Sequence, residues 1–248
     1  MIKNAGFDCV MTNADERLDK QNGTIKEQVK LFKENGLKHS SLHMSYLEND
    51  LPYFWKNCKI GNNLEKSLKK DVKIAKKYKF TCVVVHVIGE KSEIGIKRLT
   101  KILKLCNKLN IPLALENLEN NEDLLDYVFE NITDKQLKFC YDSGHNNAFS
   151  KDIDFLKKYS DKLITLHLHD NMGEVDEHTL NKYGNIDWKN IALNLANINP
   201  NINLDYEILM YGKSKYDKKK ETAENVIKET FQQACDLEKT ILDYLKCS

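Results

Sequence analysis

Short apolar runs alternate with amphipathic stretches along nearly the whole chain, and this alternation restricts the fold more than any other feature. The run 81–88 (TCVVVHVI) is apolar almost throughout, as suits a strand buried on both faces of a sheet. Helical spacing precedes it over 62–79, where Leu64, Leu68, Val72, Ala75 and Tyr78 share one face. It also follows, with Ser92 as cap and Ile96, Leu99, Leu103, Cys106 and Leu109 as the inner stripe. The same reading places strands at 7–12, 39–43, 112–116, 137–142, 163–169 and 203–208, and helices at 24–35, 121–131, 151–159 and 187–197. A closing helix spans about 220–246, with Ile227, Phe231, Ala234, Ile241 and Leu245 facing inward.

Strands separated by helices pair in parallel through right-handed crossovers. Seven βα units in 248 residues, with no Pro/Gly-rich linker, predict an α/β fold: one TIM-type (β/α) barrel domain over 1–248. Residues 1–6 (MIKNAG) read as the end of a helix, so the first strand of the barrel is expected to be missing. Another segment or a neighbouring subunit would fill its place, or Met1 is an internal methionine of a longer natural chain.

Composition narrows the function. A net charge of +1 gives no general attraction to polyanions. The seven cysteines are irregularly spaced with no CxxC pair, which argues against a disulfide framework or a zinc finger and for a reducing, cytoplasmic setting. No run approaches the roughly 18 apolar residues needed to span a bilayer.

Chemistry-bearing side chains gather where the apolar runs end. SSLHM, TCVVVHV, PLALEN, KFCYDSGH, LITLHLHD and NLDYEI deliver His43, His86, Glu116, Asp142 with His145, His167 with His169, and Glu207. Active sites of parallel α/β folds form at such carboxyl ends, so the series points to one site assembled from many strands. A mixture of imidazole and carboxylate suits a divalent ion such as zinc or manganese, with magnesium or cobalt as alternatives. A lone strand histidine is more often a core residue, and His39 is read that way. Glu116 and Glu207 are the sharpest signals, because a buried carboxylate needs a partner. His167 and His169, two apart, share a strand face. Asp176 and His178 fall in the following loop, and DSGH also reads as a strand-to-helix turn capped by Asp142. Tyr46, Tyr53, Phe54 and Trp55, in the long loop 44–61, would either wall a pocket or pack over the barrel mouth.

The stretches AGFDCV, LHMSY, DVKIAKKY leading to VVVHV, LALENL, CYDSGH, LHLHDN, DEH and LDYEI, in this order, resemble the xylose-isomerase-like TIM barrels. That superfamily holds sugar-phosphate isomerases and epimerases and endonuclease IV. The resemblance implies a divalent metal held by Glu116, Asp142, His167 and Glu207, with the H-L-x-D register choosing His167 over His169. It also implies Glu116 and Glu207 as the acid/base pair of an isomerase or epimerase of a small sugar, sugar phosphate or polyol. His43, His86, His145 and His169 would then contact substrate.

Endonuclease IV offers the rival expectation, a three-zinc cluster cutting DNA at abasic sites. Its ligand set maps onto His43, His86, Glu116, Asp142, His145, His167, Asp176, His178 and Glu207. Against it, TLNKYG follows DEH where those enzymes have a Gly-Glu-Gly segment, and VVHVIGE replaces their His-Pro-Gly turn. Lys218-Lys219-Lys220 is the one strongly basic run. A barrel that binds sugar without catalysis is the third reading. The expected partner is a small carbohydrate, not a membrane, and a homo-oligomer is compatible with the sequence.

Overall fold

Six strands carry the fold in the computed structural model, which describes residues 1–45, 49–209 and 221–247. They are β1 (Cys9–Asn13), β2 (Lys38–His43), β3 (Cys82–Val85), β4 (Leu113–Glu116), β5 (Leu137–Asp142) and β6 (Leu163–His167). Ten α-helices accompany them among the described residues: α1 (Ile2–Ala5), α2 (Asp19–Asn22), α3 (Ile25–Glu34), α4 (Lys59–Tyr78), α5 (Glu93–Leu109), α6 (Glu122–Asn131), α7 (Ser143–Phe149), α8 (Phe155–Lys158), α9 (Trp188–Ile198) and α10 (Ala223–Cys247). Strand order in the sheet follows chain order. The pairings from β1 through β5 are all parallel, as helical crossovers require. The chain packs as two units, residues 8–140 and residues 1–7 with 141–248.

In the unit 8–140, β3 and β4 are buried at every position, as the continuous apolar runs predict. Register sets Asn13 beside His43 and Glu116 beside Cys140, so His43 and Glu116 both close their strands. Thr24 and Glu27 form a capping box that starts α3. Ser92 caps α5 by accepting from Gly95 N, as its position predicts. Leu64, Leu68, Val72 and Ala75 of α4 are buried, with Leu99, Leu103 and Cys106 of α5. Arg98 is buried too, against the apolar logic of its helix. It donates to the carbonyls of Phe54 and Lys56 and to Asn62 Oδ1. That clamp fixes the 3₁₀ turn Leu51–Trp55, whose Phe54 and Trp55 pack inward. Gly95 allows it, because a Cβ there would lie 1.9 Å from the Trp55 ring. Of the loop aromatics, Tyr53 alone reaches solvent, and Tyr46 lies outside the described residues.

Asp71 of α4 is 2% exposed and accepts a 2.9 Å hydrogen bond from Ser45 N, just beyond β2. Burial pushes its carboxyl from the ordinary 3.8 up to about 6, against the opposing pull of the Ser45 hydrogen bonds. The raised value means the native state holds this proton longer than the unfolded chain. Stability from Asp71 is therefore complete below pH 3.8 and is lost as pH rises through about 6. Asp71→Asn keeps an acceptor for Ser45 and removes the buried charge. It is expected to raise stability at pH 7.5 by about 2 kcal/mol and to converge on wild type near pH 4, as read by urea denaturation at both pH values.

In the other unit, Phe7 meets Phe231 of α10 edge-on at 5.1 Å, and α9 packs on α10 with Ile191, Leu195, Leu237 and Ile241 buried. Three features depart from expectation. The strand expected at 203–208 is reduced to one parallel bridge, Leu168 to Tyr206, in a segment whose Asn and Asp side chains suit turns more than a ladder. The helix expected at 151–159 is replaced by α7, starting directly after β5, and the short α8, because Asp142 caps α7 by accepting from His145 N at 2.6 Å. The buried stripe of α10 is Val226, Thr230, Leu237 and Ile241, whereas Leu245 is 42% exposed. No helix among the described residues is long and apolar enough to cross a membrane.

Candidate metal centre

Within the unit 8–140, His43 closes β2, His86 follows β3 and Glu116 closes β4. His43 and Glu116 are 4% and 1% exposed, so their polar atoms must be matched locally. Their ring and carboxylate atoms converge. His43 Nε2 lies 3.0 Å from His86 Nε2, and Glu116 Oε2 lies 3.2 Å from His86 Nε2 and 3.6 Å from His43 Nε2. His43 Nδ1 lies 3.0 Å from Met44 O, a partner that assigns the proton to Nδ1 and leaves the Nε2 lone pair facing the group. A ring held this way by a backbone carbonyl is the usual posture of a metal-binding histidine. Buried Asn121 braces the strand ends, donating to the carbonyls of Glu116 (2.9 Å) and Val87 (3.3 Å). Sequence reasoning passed over Asn121, because an Asn at a helix start reads as a cap.

The second unit gathers the remaining residues of the series. Asp176 Oδ2 lies 2.9 Å from His178 Nε2 and 3.4 Å from His145 Nε2. His178 Nδ1 sits 2.8 Å from the Glu207 carbonyl, the same carbonyl-braced posture as His43. His178 adopts φ +48°, a left-handed conformation uncommon outside glycine, so the loop spends backbone strain to aim this ring. Buried His167 places Nδ1 3.5 Å from Glu207 Oε2. Buried His169 lies against Asp142, with Nε2 3.1 Å from Oδ2 and 3.1 Å from Oδ1. Its ring stacks on that of His178 with centroids 3.8 Å apart.

The electrostatics follow from this crowding. Burial opposes charge on both His178 and Asp176, yet their mutual hydrogen bond prevails. His178, aided by the charges of Glu207, Asp176 and Asp142, is carried up to about 9. Asp176 is held well below the ordinary carboxylate range by its bonds to His145 and His178. The proton held on His178 offsets part of the carboxylate charge gathered here, a role that a cation would also fill.

The donor chemistry fits a divalent ion. His43, His86 and Glu116 in one unit, and His145, Asp176 and His178 in the other, each offer three ligand atoms within 4.8 Å of one another. His169, His178 and Glu207 form a further such group. Asp176 Oδ1 is buried without a hydrogen-bond donor, the condition a cation relieves.

The loop that delivers Asp176 and His178 hangs on Asp170, which is fully buried. Asp170 Oδ1 accepts from the backbone N–H groups of Asn171, Asn185 and Ile186, and Oδ2 accepts from Trp188 Nε1. Its own backbone exchanges two 2.9 Å hydrogen bonds with Thr179. Asp170 escaped the sequence reading, although the D that ends LHLHD was a visible signal. The Lys218–Lys220 run lies outside the described residues.

Comparisons agree with this architecture. The sequence model of the family described as "Xylose isomerase-like TIM barrel" matches residues 1–233. The uncharacterized protein y4fM of Sinorhizobium fredii is 32% identical over 111 residues, which are 42% of this chain and 36% of that protein. The curated relatives are matched over 36% to 55% of their own length. A D-tagatose 3-epimerase-like protein superposes with a TM-score of 0.73 at 19% identity, covering 97% of this chain and 90% of that one. The IolI protein with a bound zinc atom superposes with a TM-score of 0.67 at 17% identity, covering 98% and 90%. These likenesses establish the TIM-barrel fold, and with the family match over nearly the whole length they carry one conclusion: the chain belongs to the xylose isomerase-like TIM-barrel family.

Proposed function

We propose that the protein is a divalent-metal-dependent isomerase or epimerase of a small sugar, sugar phosphate or polyol. The observation that carries this reading is the placement of carboxylates beside imidazoles, buried Glu116 at the end of β4 against His86 and His43, and part-exposed Glu207, next to the Tyr206 bridge, against His167. Family membership supports it, and so do the D-tagatose 3-epimerase-like and zinc-bound IolI proteins among the structural relatives. The proposed ligands are Glu116, Asp142, His167 and Glu207. A bound divalent ion would polarise the oxygens of a sugar's carbonyl–carbinol pair and acidify the C–H between them. Glu116 and Glu207 are the proposed proton carriers. One removes the carbon-bound proton, and the other returns it to the same or the neighbouring carbon. Glu207, whose side chain is 32% exposed, is able to meet a ligand from solvent. His43, His86 and His145 are the proposed contacts for sugar hydroxyls.

A second reading, cleavage of a phosphodiester at abasic DNA sites, is favoured by one observation. The triads His43–His86–Glu116 and His145–Asp176–His178 are each complete enough to hold an ion of their own. Metal content separates the two. Mass spectrometry of the native protein loaded with zinc or manganese is expected to give one ion per chain. Wild-type protein should then exchange carbon-bound hydrogen of a ketose or aldose with D₂O. Three ions per chain together with nicking of an abasic duplex would replace the isomerase reading by the nuclease one.

A further inference from the structure

We propose that His169 is a positioning residue: its ring holds the Asp142 carboxylate in the orientation in which that carboxylate takes up a divalent ion. The proposal rests on the reading of Asp142 as a metal ligand and goes beyond it by assigning a second residue to the same task.

The ring is immobilised from every side. Its backbone N–H donates to Ser143 Oγ at 3.0 Å, and its carbonyl accepts from the same hydroxyl at 2.7 Å. One face stacks on His178 at 3.8 Å with an interplanar angle of 17°. The ring also presses on Gly144, where a Cβ would lie 1.9 Å from Cε1 and 2.2 Å from Nδ1. Glycine is therefore the residue that admits the ring. Asn171 Nδ2 pins Gly144 by donating to its carbonyl at 2.8 Å.

Held in this way, Nε2 faces both oxygens of Asp142 at 3.1 Å, so the proton belongs on Nε2 and is shared across the carboxylate. A nitrogen that donates to Asp142 does not also coordinate. Nδ1 is buried against Gly144 without a hydrogen-bond partner, and use of the Nε2 nitrogen as a ligand beside His178 and Glu207 would give up the Asp142 contact. His169 is itself fully buried, as Asp142 is. What remains is orientation. The His145 N–H at the start of α7 fixes Asp142 Oδ1 at 2.6 Å, and the His169 ring fixes the plane of the carboxylate. Outer partners of this kind typically govern metal affinity by about 10–100-fold.

The test is zinc and manganese affinity, measured by chelator competition on the full chain, with thermal melting as the check on folding. His169→Phe keeps the volume and the stacking surface and removes the donor. It is expected to bind metal about 10–100-fold more weakly. His169→Gln, which carries an N–H at similar reach, is expected to recover most of that loss. Wild-type affinity in His169→Phe overturns the proposal, and so does a His169→Gln variant as weak as His169→Phe. Should His169→Phe fail to fold, Gly144→Ala answers the same question by pushing the intact ring off Asp142, and undiminished affinity there counts against the proposal. A wild-type protein that takes up neither ion removes the metal-site reading itself, and the proposal falls with it.

Discussion

Replacing Glu116 by Gln is expected to cut turnover at least about a thousandfold while leaving the protein folded. The side chains match in volume, and the site at the end of β4 has no room for a larger change, since Glu116 is 1% exposed. The backbone there is secured independently, by Asn121 on its carbonyl and by pairing with β5. A carboxamide fits the same space opposite His86 Nε2, which lies 3.2 Å from Glu116 Oε2, so the packing of the site survives. What it loses is the negative charge proposed to bind a cation and the basicity proposed to accept a proton from carbon. Both functions assigned to Glu116 vanish together, and the loss should appear in kcat more than in KM. The measurement is hydrogen exchange with D₂O at the substrate carbon, beside a thermal melt of the same preparation. A Glu116→Gln protein with full turnover would end the acid/base assignment.

Much of the architecture was legible from periodicity alone. The apolar faces of α4 and α5, the Ser92 cap and the strand positions of His43, Glu116 and Asp142 are local properties, and local pattern predicts them. The misreadings have a common cause. The chain 203–208 looks like a strand by its Ile, Leu and Tyr, yet a ladder needs a partner along its whole length, and only Tyr206 meets one. The stripe of α10 was read one residue late at its start, Ile227 and Phe231 for the buried Val226 and Thr230, and correctly at Ile241, because packing rather than local pattern chooses the buried face. Arg98 and Asp170 were invisible for a stronger reason. Each is a buried charge made tolerable by backbone groups far away in sequence, the carbonyls of residues 53–56 for Arg98 and the amides of residues 185 and 186 for Asp170. In the site, the sequence named the groups whose chemistry suits an ion but not how each ring is held. His167 and His169 look equivalent in H-L-H. The H-L-x-D register of the resemblance prefers His167, and the structure adds that Gly144 and Ser143 hold the second ring.

Asp170→Ala is expected to lower stability by about 3–5 kcal/mol, the largest loss of any single substitution away from the candidate ligands. The carboxylate satisfies three backbone amides at 2.8–3.1 Å and the Trp188 indole at 2.6 Å. Burial raises its pKa, and those same donors oppose the rise without cancelling it. Removing it strands four donors in a space too closed for bulk water, and Gly184 shows how closed: a Cβ there would lie 1.8 Å from Oδ1. Four unmatched donors at about 1–3 kcal/mol each would exceed the stated range, and local loosening of 184–188 toward solvent brings the net cost down. Trp188→Phe, which deletes one donor and leaves the carboxylate, should cost about 1–2 kcal/mol. For a chain of this length the Ala variant should melt about 10 °C below wild type. Amide exchange should rise first in 171–186, because the Asp170–Thr179 bridge and the amides at 185 and 186 lose a shared anchor. That segment carries Asp176 and His178, so metal affinity should fall in the variant even at temperatures where it remains folded. A variant that melts like wild type would mean that water replaces the carboxylate at no cost, and Asp170 would lose its place as the anchor of the loop that carries Asp176 and His178.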